Sequence, residues 1–226
     1  AARDEDFGLD PERATAVITR TQPDIVFLTS PNNPTGTAAP IELIEAVCAA
    51  APGLVVIDEA YAEFARAGTP SALTLLPRYP ALVVTRTMSK AFAMAGARIG
   101  YLAAAPEVVE KLLLVRLPYH LSAVTQAVAR AALALAAEPL ATVAKLRTER
   151  DGLVAWLRQR GLSVADSDAN FVLFGEFESR RAVWQGLLDR GVLVREVGPP
   201  RWLRVTVGTP DEMAAFRAAL DEVLSS

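Results

Sequence analysis

The chain has 226 residues, room for one large domain or two modest ones around a sizeable core. A net charge of -3 with scattered Lys and Arg excludes the electrostatic footprint of a nucleic-acid binder and a polybasic membrane patch. One cysteine, Cys48, excludes an internal disulfide, no apolar run reaches transmembrane length, and the acidic start over 1–10 is unlike a signal peptide, so a cytoplasmic protein is expected.

In chain order, Pro11 and Glu12 can open a short helix within the polar stretch 1–23. The apolar run 25–28 predicts a strand buried on both faces. It ends in Thr29-Ser-Pro-Asn-Asn-Pro-Thr-Gly-Thr37, where two prolines and a glycine forbid regular structure. A helix over about 40–51, with Cys48 as a packing residue, is stopped by Pro52 and Gly53. Residues 54–57 predict a second buried strand running into Asp58-Glu-Ala-Tyr61. A loop rich in Pro and Gly leads to a third strand over 82–85, then Thr87, Ser89, Lys90, small residues, Arg98 and a further apolar run over 99–102. Short strands separated by a helix or a long connection predict a parallel α/β sheet, with the three polar clusters converging beyond the strands' carboxyl ends.

Beyond Pro106 helices dominate: an amphipathic one over 106–117, an Ala-rich one over 122–137, and one over 139–160 long enough to bridge two domains. Strand 170–174, helix 179–190, strands 192–195 and 202–207, and a last helix from Pro210 make a small α+β domain. Thr209 is the N-cap of that helix, with Asp211 and Glu212 in its first turn. The expected division is a large domain over 1–138 and a small one over 139–226, the boundary falling near the long helix.

Lys90 between two strands can form a Schiff base with a carbonyl, and Thr87, Ser89 and Arg98 offer donors to a phosphate. Together they describe a socket for pyridoxal phosphate (PLP), although taken singly most lysines are solvated surface charges. Asp58 ends a buried strand, where a carboxylate needs a partner. A protonated pyridine nitrogen is one, and a turn or helix cap is the plainer reading. Tyr61 could reach the cofactor's phenolate oxygen or be a half-buried core tyrosine. Asn33 could donate to the same oxygen or only shape a turn. Glu59 is expected to be solvated, and His120, the one histidine, a packed or surface side chain. One His and one Cys leave no Ser-His-Asp set and no metal cluster. Strand alternation can place Arg204 on a buried face, where it needs an anion such as a substrate carboxylate, and Arg195 is a second candidate. For either arginine alone a surface position is an equal reading.

Taken jointly, Ser30-Pro-Asn-Asn-Pro-Thr-Gly36, Asp58-Glu-Ala-Tyr-Ala-Glu-Phe64, Thr87-Met-Ser-Lys-Ala-Phe-Ala93, Gly96-Ala-Arg98 and Leu203-Arg-Val-Thr-Val-Gly208 resemble the fold-type I PLP-dependent aminotransferases. Within them the chain, including Leu117-Pro-Tyr-His-Leu-Ser-Ala123, is similar to the histidinol-phosphate aminotransferase family. The resemblance implies a mostly parallel large-domain sheet, partial here, plus a small C-terminal α+β domain. It implies that Lys90 carries the cofactor and moves the proton between Cα and C4′, and that Asp58 holds the pyridinium. Asn33 and Tyr61 would bind the phenolate oxygen, Thr87, Ser89 and Arg98 the cofactor phosphate, and Arg204 and Arg195 the substrate's carboxylate or phosphate. The implied reaction moves the amino group of L-histidinol phosphate to 2-oxoglutarate, giving imidazole acetol phosphate and L-glutamate in histidine biosynthesis, by a homodimer. The alternatives are an aromatic-amino-acid aminotransferase, a threonine-phosphate decarboxylase, an effector-binding module or an inactive fragment. The family carries a further stretch before the point matching Ala1. By that reading the chain is N-terminally incomplete, and by itself it is expected to bind PLP weakly or not at all.

Overall fold

The computed structural model describes residues 1–225. Three apolar segments form β1 (Ile25–Thr29), β2 (Leu54–Asp58) and β3 (Leu82–Thr87), which pair in parallel, and β4 (Gly100–Ala104) closes the sheet antiparallel to β3. The order β1-β2-β3-β4 follows the chain, so each parallel step needs a crossover. The first is α2 (Ile41–Ala50); the second contains only the 3-10 turns Ala62–Phe64 and Ala72–Leu75. Ahead of β1, α1 (Pro11–Thr21) starts where Asp10 accepts a hydrogen bond from the Arg13 N–H, an N-cap completed by the proline at its first position.

Leu43, Ile44 and Val47 of α2 and Ala14 and Ile18 of α1 pack with Leu28, Val55, Ile57, Leu82 and Val84 on one face of this sheet. The expectation that β1 is buried on both faces is not met: Phe27 is 74% exposed and Ile25 48%. β1 is the edge of the sheet, and the side chains at 25 and 27 alternate away from the face that α1 and α2 cover.

Three helices follow: α3 (Pro106–Val115), α4 (Ala123–Ala134) and α5 (Ala137–Gln159). No residue of α3 is buried, and Leu114, Val115, Leu117, Tyr119 and Val124 stand exposed along α3 and the start of α4. No single helix among the described residues is long and apolar enough to cross a membrane; α4 and α5 reach that length only together, across a 69° bend.

A second sheet, antiparallel, is built from β5 (Ser163–Val164), β6 (Phe171–Gly175) and β7 (Trp202–Thr206). Its core joins Val172, Phe174, Leu203 and Val205 to Leu153 and Leu157 of α5, Leu187 of α6 (Arg180–Asp189) and Phe216 and Leu220 of α7 (Pro210–Leu224). Thr209 caps α7 in a reciprocal box with Glu212. Residues 192–195 do not form the expected strand: only Arg195 bridges Arg204, through two backbone hydrogen bonds of 2.9 Å. The run is followed by Gly198-Pro199-Pro200, whose prolines have no N–H to extend a ladder.

Between the two cores, Val143 of α5 packs with Tyr61, Phe64, Ala91, Ala169 and Phe171. That small cluster is the floor on which residues from both sheets meet.

Candidate active site

The parallel register aligns Thr29 with Asp58 and Asp58 with Thr85, so the polar segments after β1, β2 and β3 leave the sheet side by side. Asp58 is half-buried. Its Oδ1 accepts from the Ala60 N–H at 3.1 Å and from the Thr85 hydroxyl at 3.4 Å, so the short turn holds the carboxylate and still leaves acceptor capacity. Tyr61 is buried three residues on and meets the Phe171 ring edge-on, centroids 5.1 Å apart. Lys90 is exposed, and its Nζ lies 5.6 Å from the centre of the Tyr61 ring.

At the end of β3 the Ser89 N–H donates to Thr87 Oγ1 at 3.1 Å, and the two hydroxyls lie 2.9 Å apart. This binds the first residues of the lysine turn to the strand. Arg98 has a left-handed backbone (φ 52°), and its Nη1 donates to the Ala95 carbonyl at 3.0 Å, which orients an otherwise exposed guanidinium on its own turn.

Arg204 comes from the other sheet. Its Nη1 donates to Asn33 Oδ1 at 2.5 Å and its Cζ lies 4.7 Å from the centre of the Phe171 ring. Its Nε is buried with no hydrogen-bond partner. Burial pushes the guanidinium pKa down, Tyr61 opposes that, and the like charge of Arg195 adds to it. Arg195 itself is exposed, tied to Arg204 only through the backbone bridge. A cation that is desolvated and incompletely bonded is matched to an incoming anion.

The structure therefore brings Asn33 to Arg204, Lys90 to Tyr61 and Thr87 to Ser89, with Asp58 beside Thr85. Two features were not legible in the sequence. Phe171 is one: it reads as a core strand residue, and its edge contact to Tyr61 and face contact to Arg204 depend on the two sheets meeting. The other is Glu59, expected to be solvated and in fact 3% exposed. It accepts from the Ala72 N–H at 2.7 Å, from both Nε and Nη2 of Arg86 at 3.0 and 2.7 Å, and from the Ser71 hydroxyl. His120 is exposed. Cys48 packs half-buried under the first sheet, where burial and then Glu45 push its thiol up to about 11. A cleft of about 740 Å³ runs between β4 and α3 along Tyr101, Leu102, Leu112 and Leu113 and reaches Thr85.

This donor set fits PLP by its chemistry: an amine for an aldehyde, a carboxylate for a basic ring nitrogen, two hydroxyls and a guanidinium for a phosphate. A mostly parallel sheet carrying such a set, with a small antiparallel sheet beside it, defines the fold-type I PLP-dependent transferases. Histidinol-phosphate aminotransferase from Sinorhizobium meliloti, solved in complex with pyridoxal-5'-phosphate, matches with a TM-score of 0.89 and 30% identity, over 100% of this chain and 64% of that one. The family model "Aminotransferase class I and II" matches residues 1–220, and the chain belongs to that family. Among curated relatives, histidinol-phosphate aminotransferase from Thermobifida fusca is 68% identical over 218 residues, 96% of this chain and 59% of the relative. Histidinol-phosphate aminotransferase 3 from Burkholderia lata is 63% identical over 223 residues, 99% of this chain and 60% of the relative. The chain thus spans 59–60% of the length of these two relatives.

Proposed function

We propose that this chain carries the catalytic lysine and the substrate-anion site of a PLP-dependent aminotransferase that moves the amino group of L-histidinol phosphate to 2-oxoglutarate. The products are imidazole acetol phosphate and L-glutamate. The observation that carries the reading is the meeting of Lys90 and Tyr61 at the end of one sheet with a desolvated, incompletely bonded Arg204 from the other. The identity of 68% to a histidinol-phosphate aminotransferase supports this choice of donor.

When bound, PLP supplies an aldehyde for amines and a ring that draws electrons from the carbon bearing the amine. The chain's own residues supply the rest. Lys90 Nζ would hold the cofactor's aldehyde carbon and, as general base and acid, would move the proton between the donor's Cα and C4′. Asp58 keeps the ring nitrogen protonated by offering it a carboxylate. Asn33 and Tyr61 bind the phenolate oxygen, and Thr87, Ser89 and Arg98 bind the phosphate. Arg204, with Arg195 beside it, takes the phosphate of L-histidinol phosphate or the carboxylate of 2-oxoglutarate, and its burial strengthens that contact by excluding water. A large domain over 1–138 and a small one over 139–226 are proposed as the units that bring these groups together. A cytoplasmic homodimer is proposed as the working form; the exposed apolar side chains of α3 and α4 support a partner on that side.

Adding PLP to the full chain and recording absorbance before and after L-histidinol phosphate tests the reading. Where the chain binds PLP, a band near the visible range that shifts with the donor, and that Lys90→Ala abolishes, is expected; no band at all would mean that the family's N-terminal stretch is needed to hold the cofactor. A band that survives Lys90→Ala, or no shift with this donor, would overturn it.

A further inference from the structure

Buried contacts away from the reacting groups join the segments that carry them. Arg150 on α5 is 0% exposed. Its Nη1 donates to the Phe64 carbonyl at 2.6 Å and to the Ala169 carbonyl at 3.3 Å, and its Nε donates to Asp151 Oδ1 at 2.9 Å. Nη2 lies 2.9 Å from that same oxygen but makes no hydrogen bond. Asp168, 5% exposed, accepts from the Arg66 N–H at 2.8 Å, from Arg66 Nε at 3.2 Å and from Nη2 at 3.0 Å. Its own N–H donates to the Gly36 carbonyl at 2.7 Å. Gly36, at φ +80°, lies so close to Ser167 that a Cβ there would fall 2.4 Å from the Ser167 hydroxyl oxygen.

A fully buried guanidinium is a poor source of stability, because a well-packed apolar side chain of similar volume often serves as well. An apolar side chain cannot bond two carbonyls from segments far apart in the chain. Each segment held here leads to the site. Gly36 ends the turn that carries Asn33, Phe64 ends the 3-10 turn that begins after Tyr61, and Ala169 precedes β6 and Phe171. The Phe171 ring is the shared surface, 5.1 Å from Tyr61 and 4.7 Å from Arg204.

We propose that Arg150, Arg66 and Asp168 are positioning residues: a fixed clamp that holds Asn33 and Phe171 where both meet Arg204, and so sets the affinity for the substrate's phosphate or carboxylate. The inference rests on the functional reading above. Of the cofactor residues, Asn33 and Tyr61 lie on segments the clamp holds, whereas Lys90, Thr87, Ser89 and Arg98 lie along β3 and its turn, outside it, so anion affinity depends on the clamp more than cofactor binding does.

Arg150→Met in the full chain is the first variant, since it keeps volume and removes a buried charge; Arg150→Lys, which can still reach one carbonyl, is the second. The half-saturating L-histidinol phosphate concentration, read from the absorbance shift, is expected to rise about tenfold or more in Arg150→Met. The PLP titration midpoint changes by less than that, and Arg150→Lys falls between the parent and Arg150→Met. Equal changes in both midpoints, or none in either, would overturn the clamp. Amide hydrogen exchange of the cofactor-free chain gives a readout independent of activity. Faster exchange confined to 34–37, 64–66 and 168–171, with β3 unaltered, supports the clamp, and uniform or unchanged exchange counts against it. A parent chain that shows no PLP band is the outcome expected of an N-terminally incomplete chain, and the exchange pattern of the cofactor-free chain then decides by itself whether the clamp holds these segments.

Discussion

Asp58 and Glu59 are neighbours in the chain that serve opposite sides of one sheet. Asp58 turns toward Thr85, and Glu59 toward Arg86, so two adjacent acids at the end of β2 meet two adjacent partners on β3. In this pair Glu59 is buried and Arg86 half-buried, and Glu63 lies 3.4 Å from Arg86. Glu59→Leu leaves that guanidinium short of its main partner and is expected to destabilise the chain by about 3 kcal/mol. Urea unfolding checks this, and the double variant with Arg86→Met should recover much of the loss. Asp168 sets a pH dependence. Burial by itself would raise its carboxyl, but the hydrogen bonds and charge of Arg66 outweigh that and hold it below the usual carboxylate range. Unfolding therefore takes up a proton in acid: the contribution is complete above about pH 4 and is lost as pH falls through the lowered value. Asp168→Asn should be less stable at neutral pH and less sensitive to acid, as followed by thermal unfolding across pH. Lys90, Asp58 and Arg204 stood out in the sequence because each follows or interrupts an apolar run, but each had a plain reading alone, and only the joint order of motifs pointed to one site. Glu59 did not, because its partners Ser71 and Arg86 lie 12 and 27 residues away and become neighbours only when β2 and β3 pair.

At the scale of elements, buried parallel strands read as continuous apolar runs, which is why β1, β2 and β3 could be located to within a residue or two. An apolar run states what a strand can bury and is silent on whether a neighbour covers it. β1 therefore shows its difference from β2 only in the structure, with Phe27 exposed at the open edge. Exposed edges pair with other chains, so the 226-residue chain should self-associate through β1, and Phe27→Lys should reduce that association without lowering the unfolding midpoint. Light scattering at rising concentration, beside thermal unfolding, checks both halves. The segment at 192–195 failed in the other direction: its apolar residues suit a strand, but Val194 is buried beneath Trp184, whose indole N–H donates to the Val194 carbonyl at 2.9 Å. That bond spends an acceptor a ladder would need, and only Arg195 pairs.

For the molecule as a whole, the two sheets and the helical change of character at Pro106 followed from the order of periodic segments. The way the sheets meet did not, because it depends on Val143, Arg150 and Phe171 packing across long separations. The lysine turn stands apart from every other piece of the site in one respect. It closes two antiparallel neighbours, with Thr87 opposite Gly100 and the Met88 N–H donating to the Ile99 carbonyl at 3.2 Å. Closing a loop of about ten residues takes on the order of 10–100 ns, whereas Asn33, Asp58 and Arg204 wait on crossovers and on a second sheet. During synthesis and refolding the Lys90 amine is thus framed early, by contacts local in the chain, and Asn33, Asp58 and Arg204 assemble around it afterwards.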